Sequence, residues 1–134
     1  MTRNTFKKEE RLTNKQTIEK LFESGKSVNA PAFKLIWSNR LDSKFPAQIL
    51  ISVPKKTFSS AVIRNRIKRR IREAYRKNKH SLYEILNNKH LSIAMALVYT
   101  AKQELTYSDI EKNMLVSLQK LAAKYEQLQS RQPA

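Results

Sequence analysis

The stretch AVIRNRIKRRIREAYR, residues 61–76, carries two patterns at once, and together they set the fold. An isoleucine recurs at every fourth position, at Ile63, Ile67 and Ile71. Between Arg64 and Arg76 seven side chains are basic and one, Glu73, is acidic. Apolar groups four residues apart line one face of an α-helix. On a helix centred on Ile67, Ile63, Ile71 and Ala74 fall within about 40° of it, and Tyr75 lies at about 80°. Lys68, Arg72, Asn65, Arg76 and Arg69 occupy an arc from about 100° to 200°, facing away. Arg64 and Arg70 flank the apolar stripe, where their stems can lie on its edges. The helix, expected from about residue 59 to 77, is anchored by one side and presents cations on the other.

A solvated charged face is the plain alternative. Such faces mix signs through Glu–Lys pairs at four-residue spacing, and here Glu73 alone opposes the series. Within it arginine outnumbers lysine six to one. The planar guanidinium grips phosphate through two parallel hydrogen bonds, which an ammonium cannot do. The whole chain repeats the bias, with 27 Lys and Arg against 11 Asp and Glu and a formal charge of +16. That excess repels itself in the folded state and fits a polyanionic partner. An anionic membrane asks for a broader apolar stripe than this interrupted one. The pattern therefore favours a nucleic-acid surface.

Working outward, the 134 residues form one expected domain, 1–134, with loose polar ends at about 1–10 and 129–134. A first helix should start near Thr13, with Gln16 at capping-box spacing, and put Ile18, Leu21 and Phe22 on one face. Gly25, the only glycine, falls where a left-handed C-cap is wanted. Three runs alternate at period two: AFKLIWS, AQILISV and LSIAMALVY. Phe33, Leu35 and Trp37 share a face in the first. NRLDSKFP reads as a polar hairpin connection to the second, and Pro54 ends that strand. In the third run large residues alternate with Ser92, Ala94, Ala96 and Val98. A sheet of these strands has one bulky face that helices must cover. The small-residue face either accommodates a helix or stays an open trough. SLYEIL adds a possible helical turn. A last helix is expected near Ser108, with Glu111 as capping partner and a stripe of Ile110, Met114, Leu118, Leu121, Tyr125 and Leu128 that covers the sheet or dimerises. The order helix, strands, helix, strand, helix gives an α+β single two-layer domain.

No catalytic constellation is visible. With no cysteine, the chain has no disulfide, thiolate metal site or thiol nucleophile, which fits a reducing cytoplasm. His80 and His90 have no acid at ligand or dyad spacing, the acids form no DxD or ExxE group, and Ser59-Ser60 has no base nearby. No signal peptide or membrane span is expected, so the reading is a soluble, cytoplasmic protein without membrane contact.

The segment SVPKKTFSSAVIRNRIKRRIREAYR, residues 52–76, closely resembles the signature of the protein subunit of bacterial ribonuclease P. Two lysines precede a small-residue stretch, an Ala-Val pair and an Arg-Asn-Arg motif opening a basic helix. RLTNKQTIEKLFESGKSV resembles the family's opening helix and LTYSDIEKNMLVSLQKL its closing one. The resemblance implies a fold of this order with a left-handed crossover, opposite to the usual hand. It also implies a basic cofactor of a catalytic RNA, bound 1:1. The ribonucleoprotein hydrolyses a phosphodiester to remove the 5′ leader of precursor tRNA, the RNA holds the Mg2+, and the protein supplies no catalytic residue. Carried over by position, Arg64, Asn65, Arg66, Lys68, Arg69, Arg70 and Arg72 bind the RNA. Phe22, Phe33, Lys55 and Lys56 match a cleft that holds the single-stranded leader. Ile18 and Ile36 stand where the family often has aromatic residues, which weakens stacking worth roughly 1–3 kcal/mol per base. Trp37 compensates only if a strand shift turns it toward the cleft. A structural RNA-binding protein, such as a ribosomal one, or a basic DNA-binding protein would share the composition but not this motif.

Overall fold

In the computed structural model, which describes residue 6, residues 8–39 and residues 45–131 (126–131 as backbone), a short 3-10 turn, Lys8–Glu10, precedes the regular elements. These are α1 (Lys15–Ser24), β1 (Lys26–Ala30), β2 (Phe33–Asn39), β3 (Ala47–Ser52), α2 (Ala61–Asn78), α3 (His80–Asn88), β4 (Ile93–Tyr99) and α4 (Tyr107–Arg131). The single α+β domain implied by the sequence is present. Its sheet has the order β1-β2-β4-β3.

That order corrects the expected hairpin between the first two strand-like runs. β4 lies between them, antiparallel to β2 and parallel to β3. The actual hairpin joins β2 to β1, a strand that alternation did not reveal because Val28 is its one buried apolar residue. Residues 40–44 of the expected connection lie outside the described residues. α2 and α3 carry the chain from β3 across to its parallel neighbour β4. β4 is central because it is apolar on both sides: large Ile93, Met95 and Leu97 alternate with Ala94 and Ala96, and all five are buried.

The bulky face meets α2 through Ile67, Ile71, Ala74 and Tyr75, and the apolar stripe of α4 packs into the same core. Leu128, counted in that stripe, lies beyond the described side chains. The small-residue face is not a bare trough. Leu12 and, from α1, Leu21 seat against Ile36, Ala94 and Ala96, whose methyl groups let the helix come close. What remains uncovered is a shorter row in register across β2, β4 and β3: exposed Lys34 with half-buried Val98 and Ser52.

Caps differ from their expected positions. α1 is capped by Asn14, whose side chain accepts from the Thr17 N–H at 3.1 Å, one residue after Thr13. α4 begins after Thr106, whose hydroxyl accepts from the Asp109 N–H at 3.2 Å; Glu111 instead accepts from Tyr107 and Asn78. Gly25 is not left-handed. Its φ of −68° and ψ of 153° suit any residue, but a Cβ there would sit 2.4 Å from the Leu21 carbonyl oxygen and 2.7 Å from Ile36 Cγ2. Glycine is required by close approach. The left-handed position belongs to His90, at φ 55°. It closes α3 with bonds from its own N–H to the Asn87 carbonyl and from the Leu91 N–H to the Leu86 carbonyl.

Four residues of the expected loose N-terminal end, 6 and 8–10, are described. Glu10 is buried, and its carboxylate accepts from the Lys79 ammonium at 2.6 Å and the Tyr83 hydroxyl at 2.8 Å. Phe6 stands edge-on to Tyr75. Residues 6 and 8–10 are thus docked, because a carboxylate is needed beside the buried lysine at the α2–α3 junction. α4 likewise runs through Arg131, while 1–5, 7 and 132–134 lie outside the described residues.

Candidate nucleic-acid interface

α2 is positioned by its apolar stripe and by its entry. Ser60 caps it, accepting from the Ile63 N–H at 3.3 Å. Arg64 turns back to donate from Nη1 to the Phe58 carbonyl at 2.8 Å and the Ser59 carbonyl at 3.0 Å. That guanidinium holds the turn leading into the helix.

The remaining basic residues divide between two sides. On one flank, Arg66 grips Glu104 through Nε and Nη2, and Arg70 reaches the same carboxylate at 3.1 Å and the Leu105 carbonyl at 2.8 Å. One turn on, Arg76 pairs with Glu73, and Lys77 lies 3.7 Å from that carboxylate and over the Tyr107 ring. The Arg66 hydrogen bond, helped by the charges of Arg66 and Arg70, holds the Glu104 carboxyl below the usual range. The hydrogen bond from Arg76 does the same for Glu73. Facing outward, Asn65, Lys68, Arg69 and Arg72 make no side-chain hydrogen bond or ion pair among the described residues. Asn65, Arg69 and Arg72 are exposed and Lys68 is half-buried.

The seven residues singled out on α2 thus differ in engagement: Arg64 is turned back to the helix entry, Glu104 holds Arg66 and Arg70, and Asn65, Lys68, Arg69 and Arg72 face outward. Sequence reasoning saw Glu73 as the sole opposing acid and missed Glu104, which lies 38 residues from Arg66. No local spacing announces such a pair.

The cleft residues do not assemble as a set. Phe22 projects from α1 with 49% of its surface exposed, and Lys55 and Lys56 are exposed in the turn after β3. Phe33 is corrected: it is 1% exposed in the core, edge-on to Tyr99, because period two puts it on the bulky face with Leu35 and Trp37. Trp37 is buried on that same face, so no strand shift brings it to the α1 side. Ile36 lies under α1, beside half-buried Ile18. Lys34, which sequence reasoning did not select, stands in the uncovered row of the α1 side.

Among the described residues no three His, Asp or Glu side chains gather as a metal site, and no helix is long and apolar enough to cross a membrane.

Comparison with known proteins follows the same outline. Residues 6–125 match the family model described as Ribonuclease P. The ribonuclease P protein component of Porphyromonas gingivalis is 35% identical over 118 residues, spanning 86% of this chain and 85% of that one. That of Chlorobium phaeobacteroides is 38% identical over 106 residues, 71% of this chain and 73% of the other. In fold, the chain matches the RNase P protein of Staphylococcus aureus with a TM-score of 0.65 at 24% identity, over 84% of this chain and 94% of that one. It matches the RNase P protein of Thermotoga maritima with 0.65 at 21%, over 83% and 96%. With the family model spanning nearly all the described core and a relative of this identity over most of both chains, the chain belongs to the family of bacterial ribonuclease P protein subunits.

Proposed function

We propose that the outward face of α2 binds the catalytic RNA of ribonuclease P, and that the protein thereby assists removal of the 5′ leader from precursor tRNA in the cytoplasm. Family membership makes the chain a subunit of an endoribonuclease and a partner of the ribonuclease P RNA. The observation that carries the finer reading is the uncompensated set Asn65, Lys68, Arg69 and Arg72 on a helix whose other face is fixed in the core. Cations without an intramolecular partner break no ion pair on meeting phosphates, and each contact releases condensed counterions. The RNA, bound 1:1, holds the Mg2+ and supplies the chemistry of phosphodiester hydrolysis. The chain binds and orients. Its uncovered strip at Lys34, with Lys55, Lys56 and Phe22 as further contacts, suits the single-stranded leader: cations for its phosphates and one exposed ring for a base.

The test is a salt titration of binding to ribonuclease P RNA, paired with leader removal at low magnesium. About five phosphate contacts give a log–log slope near −4. Arg69→Ala and Arg72→Ala should each weaken binding by about 1–2 kcal/mol and flatten the slope by roughly one unit. Their melts should match the parent, since neither side chain is tied to the fold. Ile67→Ala should do the opposite, losing about 2–5 kcal/mol of stability while its folded fraction binds normally. Parent-like RNA binding by both arginine variants would remove the reading.

A further inference from the structure

The Arg66–Glu104–Arg70 cluster is built, not incidental. Tyr99, buried at the end of β4, donates its hydroxyl proton to the Gln103 carbonyl at 2.5 Å and accepts from the Leu105 N–H at 3.1 Å. The residue held between those two anchors is Glu104. A core tyrosine thus fixes where this carboxylate stands against α2. Arg66 meets it with both donors of one guanidinium edge, and Arg70 is held at once by the carboxylate and by the Leu105 carbonyl. The clamped edge of Arg66 is one of the two that a free arginine can offer to a phosphate. Both side chains nevertheless stay partly exposed, 45% for Arg66 and 30% for Arg70. Arg66 Nη1 and Arg70 Nε and Nη2 make no hydrogen bond among the described residues.

An acid has little reason to stand at the rim of an RNA-binding helix if affinity were the only requirement. A fixed negative charge repels phosphates that arrive at arbitrary places, and like-charge juxtaposition is an effective means of rejecting wrong partners. The same carboxylate freezes two flexible guanidiniums, so their remaining donors point where one particular surface can use them.

We propose that Glu104 is a specificity-determining and positioning residue, which stays paired in the specific complex, aims Arg66 and Arg70 at the ribonuclease P RNA, and denies them to unrelated RNA. This rests on the reading of α2 as the RNA-binding helix. Three chemical consequences follow. RNA whose phosphates do not match the preset donors engages the outward face alone. RNA that matches engages the flank as well. Removing the negative charge therefore helps the first and not the second.

The experiment compares Glu104→Gln with the parent on two probes, the ribonuclease P RNA of the same genome and an unrelated RNA hairpin of similar length, each titrated over salt. For the hairpin the variant should bind several-fold more tightly, with a slope steeper by about 1–2 units as the two arginines become available. For ribonuclease P RNA its affinity should be unchanged or lower. Adding Arg66→Ala to the Glu104→Gln variant should cancel most of the gain on the hairpin, which ties the effect to the clamped arginine. Equal gains on both probes would make Glu104 a mere counter-charge and overturn the proposal, as would no change on either. Arg69→Ala and Arg72→Ala are run alongside. If they weaken binding while Glu104→Gln changes nothing, the specificity role alone fails; if they too leave binding intact, the assignment of α2 fails with it. Glutamine keeps the carbonyl acceptor of this partly exposed cluster, so a melt close to the parent's is expected for Glu104→Gln and is recorded as the control.

Discussion

Replacing Glu10 by alanine should damage this protein far more than its place near the chain start would indicate. Its carboxylate and the Lys79 ammonium are 2.6 Å apart, and each side chain is only 4% exposed. Tyr83 donates to the same oxygen, and Tyr75 and Tyr83 share a further hydrogen bond at 3.0 Å. Removing one partner of a buried ion pair leaves an uncompensated charge, which costs about 3–5 kcal/mol. The Tyr83 hydroxyl loses its charged acceptor and keeps only its bond to Tyr75, which adds about 1 kcal/mol. Water entering as the N-terminal segment lifts offsets part of this, so a net loss of about 3–5 kcal/mol is expected. With a urea m-value of about 2 kcal/mol/M for a domain of this size, the midpoint should fall by roughly 1.5–2.5 M. Urea unfolding followed by circular dichroism measures this directly. The double variant Glu10→Gln/Lys79→Met should recover most of the loss, because removing both charges leaves neither stranded. A midpoint shift below about 0.5 M for Glu10→Ala, or a double variant no better than the single one, would refute the argument.

Three further outcomes follow from backbone and burial. Gly25→Ala should destabilise by about 1–3 kcal/mol, since its Cβ has no room against the Leu21 carbonyl and Ile36, whereas His90→Gly should stabilise by up to about 1 kcal/mol by relieving a left-handed histidine; paired thermal melts check both. Burial pushes Tyr107 and Tyr125 up to about 12, and Tyr75 and Tyr83 upward as well. Their folded values lie above the ordinary tyrosine value of about 10, so the stability they contribute is intact below pH ~10 and lost as pH rises through the folded values. Melting temperature should hold to about pH 10 and fall steadily toward 12, and a flat profile across that interval would contradict the buried tyrosines.

What the sequence made legible was local and periodic. The faces of α2 follow from 3.6-residue spacing sustained over an uninterrupted helix, so Ile67, Ile71 and Ala74 are buried where the pattern put them and Arg72 is outside. The alternation in β2, β3 and β4 likewise assigned each side chain to its face, and Phe33 belonged to the bulky face by that rule even though family position set it in a cleft. What stayed hidden was non-local. Strand order depends on which edges meet after the chain has crossed the sheet, and nothing in NRLDSKFP says that β4 will slip between its neighbours. Glu10 meets a lysine 69 residues away, and Glu104 an arginine 38 residues away. Gly25 was read for its φ, the commoner reason for glycine at a helix end, when the reason was the space beside Ile36.

The charge distribution ties folding to function across one helix. A formal charge of +16 opposes folding everywhere, yet its acids are not distributed evenly over the cations. Glu10 meets the ammonium that is buried, Glu73 and Glu104 meet cations along one flank of α2, and Glu111 accepts from Asn78 at its end. Glu10, Glu104 and Glu111 lie where α2 joins the rest of the domain, while Glu73 pairs within the helix. Carboxylates placed there lower repulsion at the seams of the fold and hold the helix in one orientation. None is paired with Lys68, Arg69 or Arg72, whereas Arg76, on the same outward arc, is paired with Glu73. Moving a single acid to that face would relieve repulsion in the free protein and, through the same charge, oppose every phosphate approaching it. If α2 binds RNA as proposed, stability and RNA affinity make opposite demands on the acids, and the chain separates them in space by leaving Lys68, Arg69 and Arg72 without an acidic partner among the described residues.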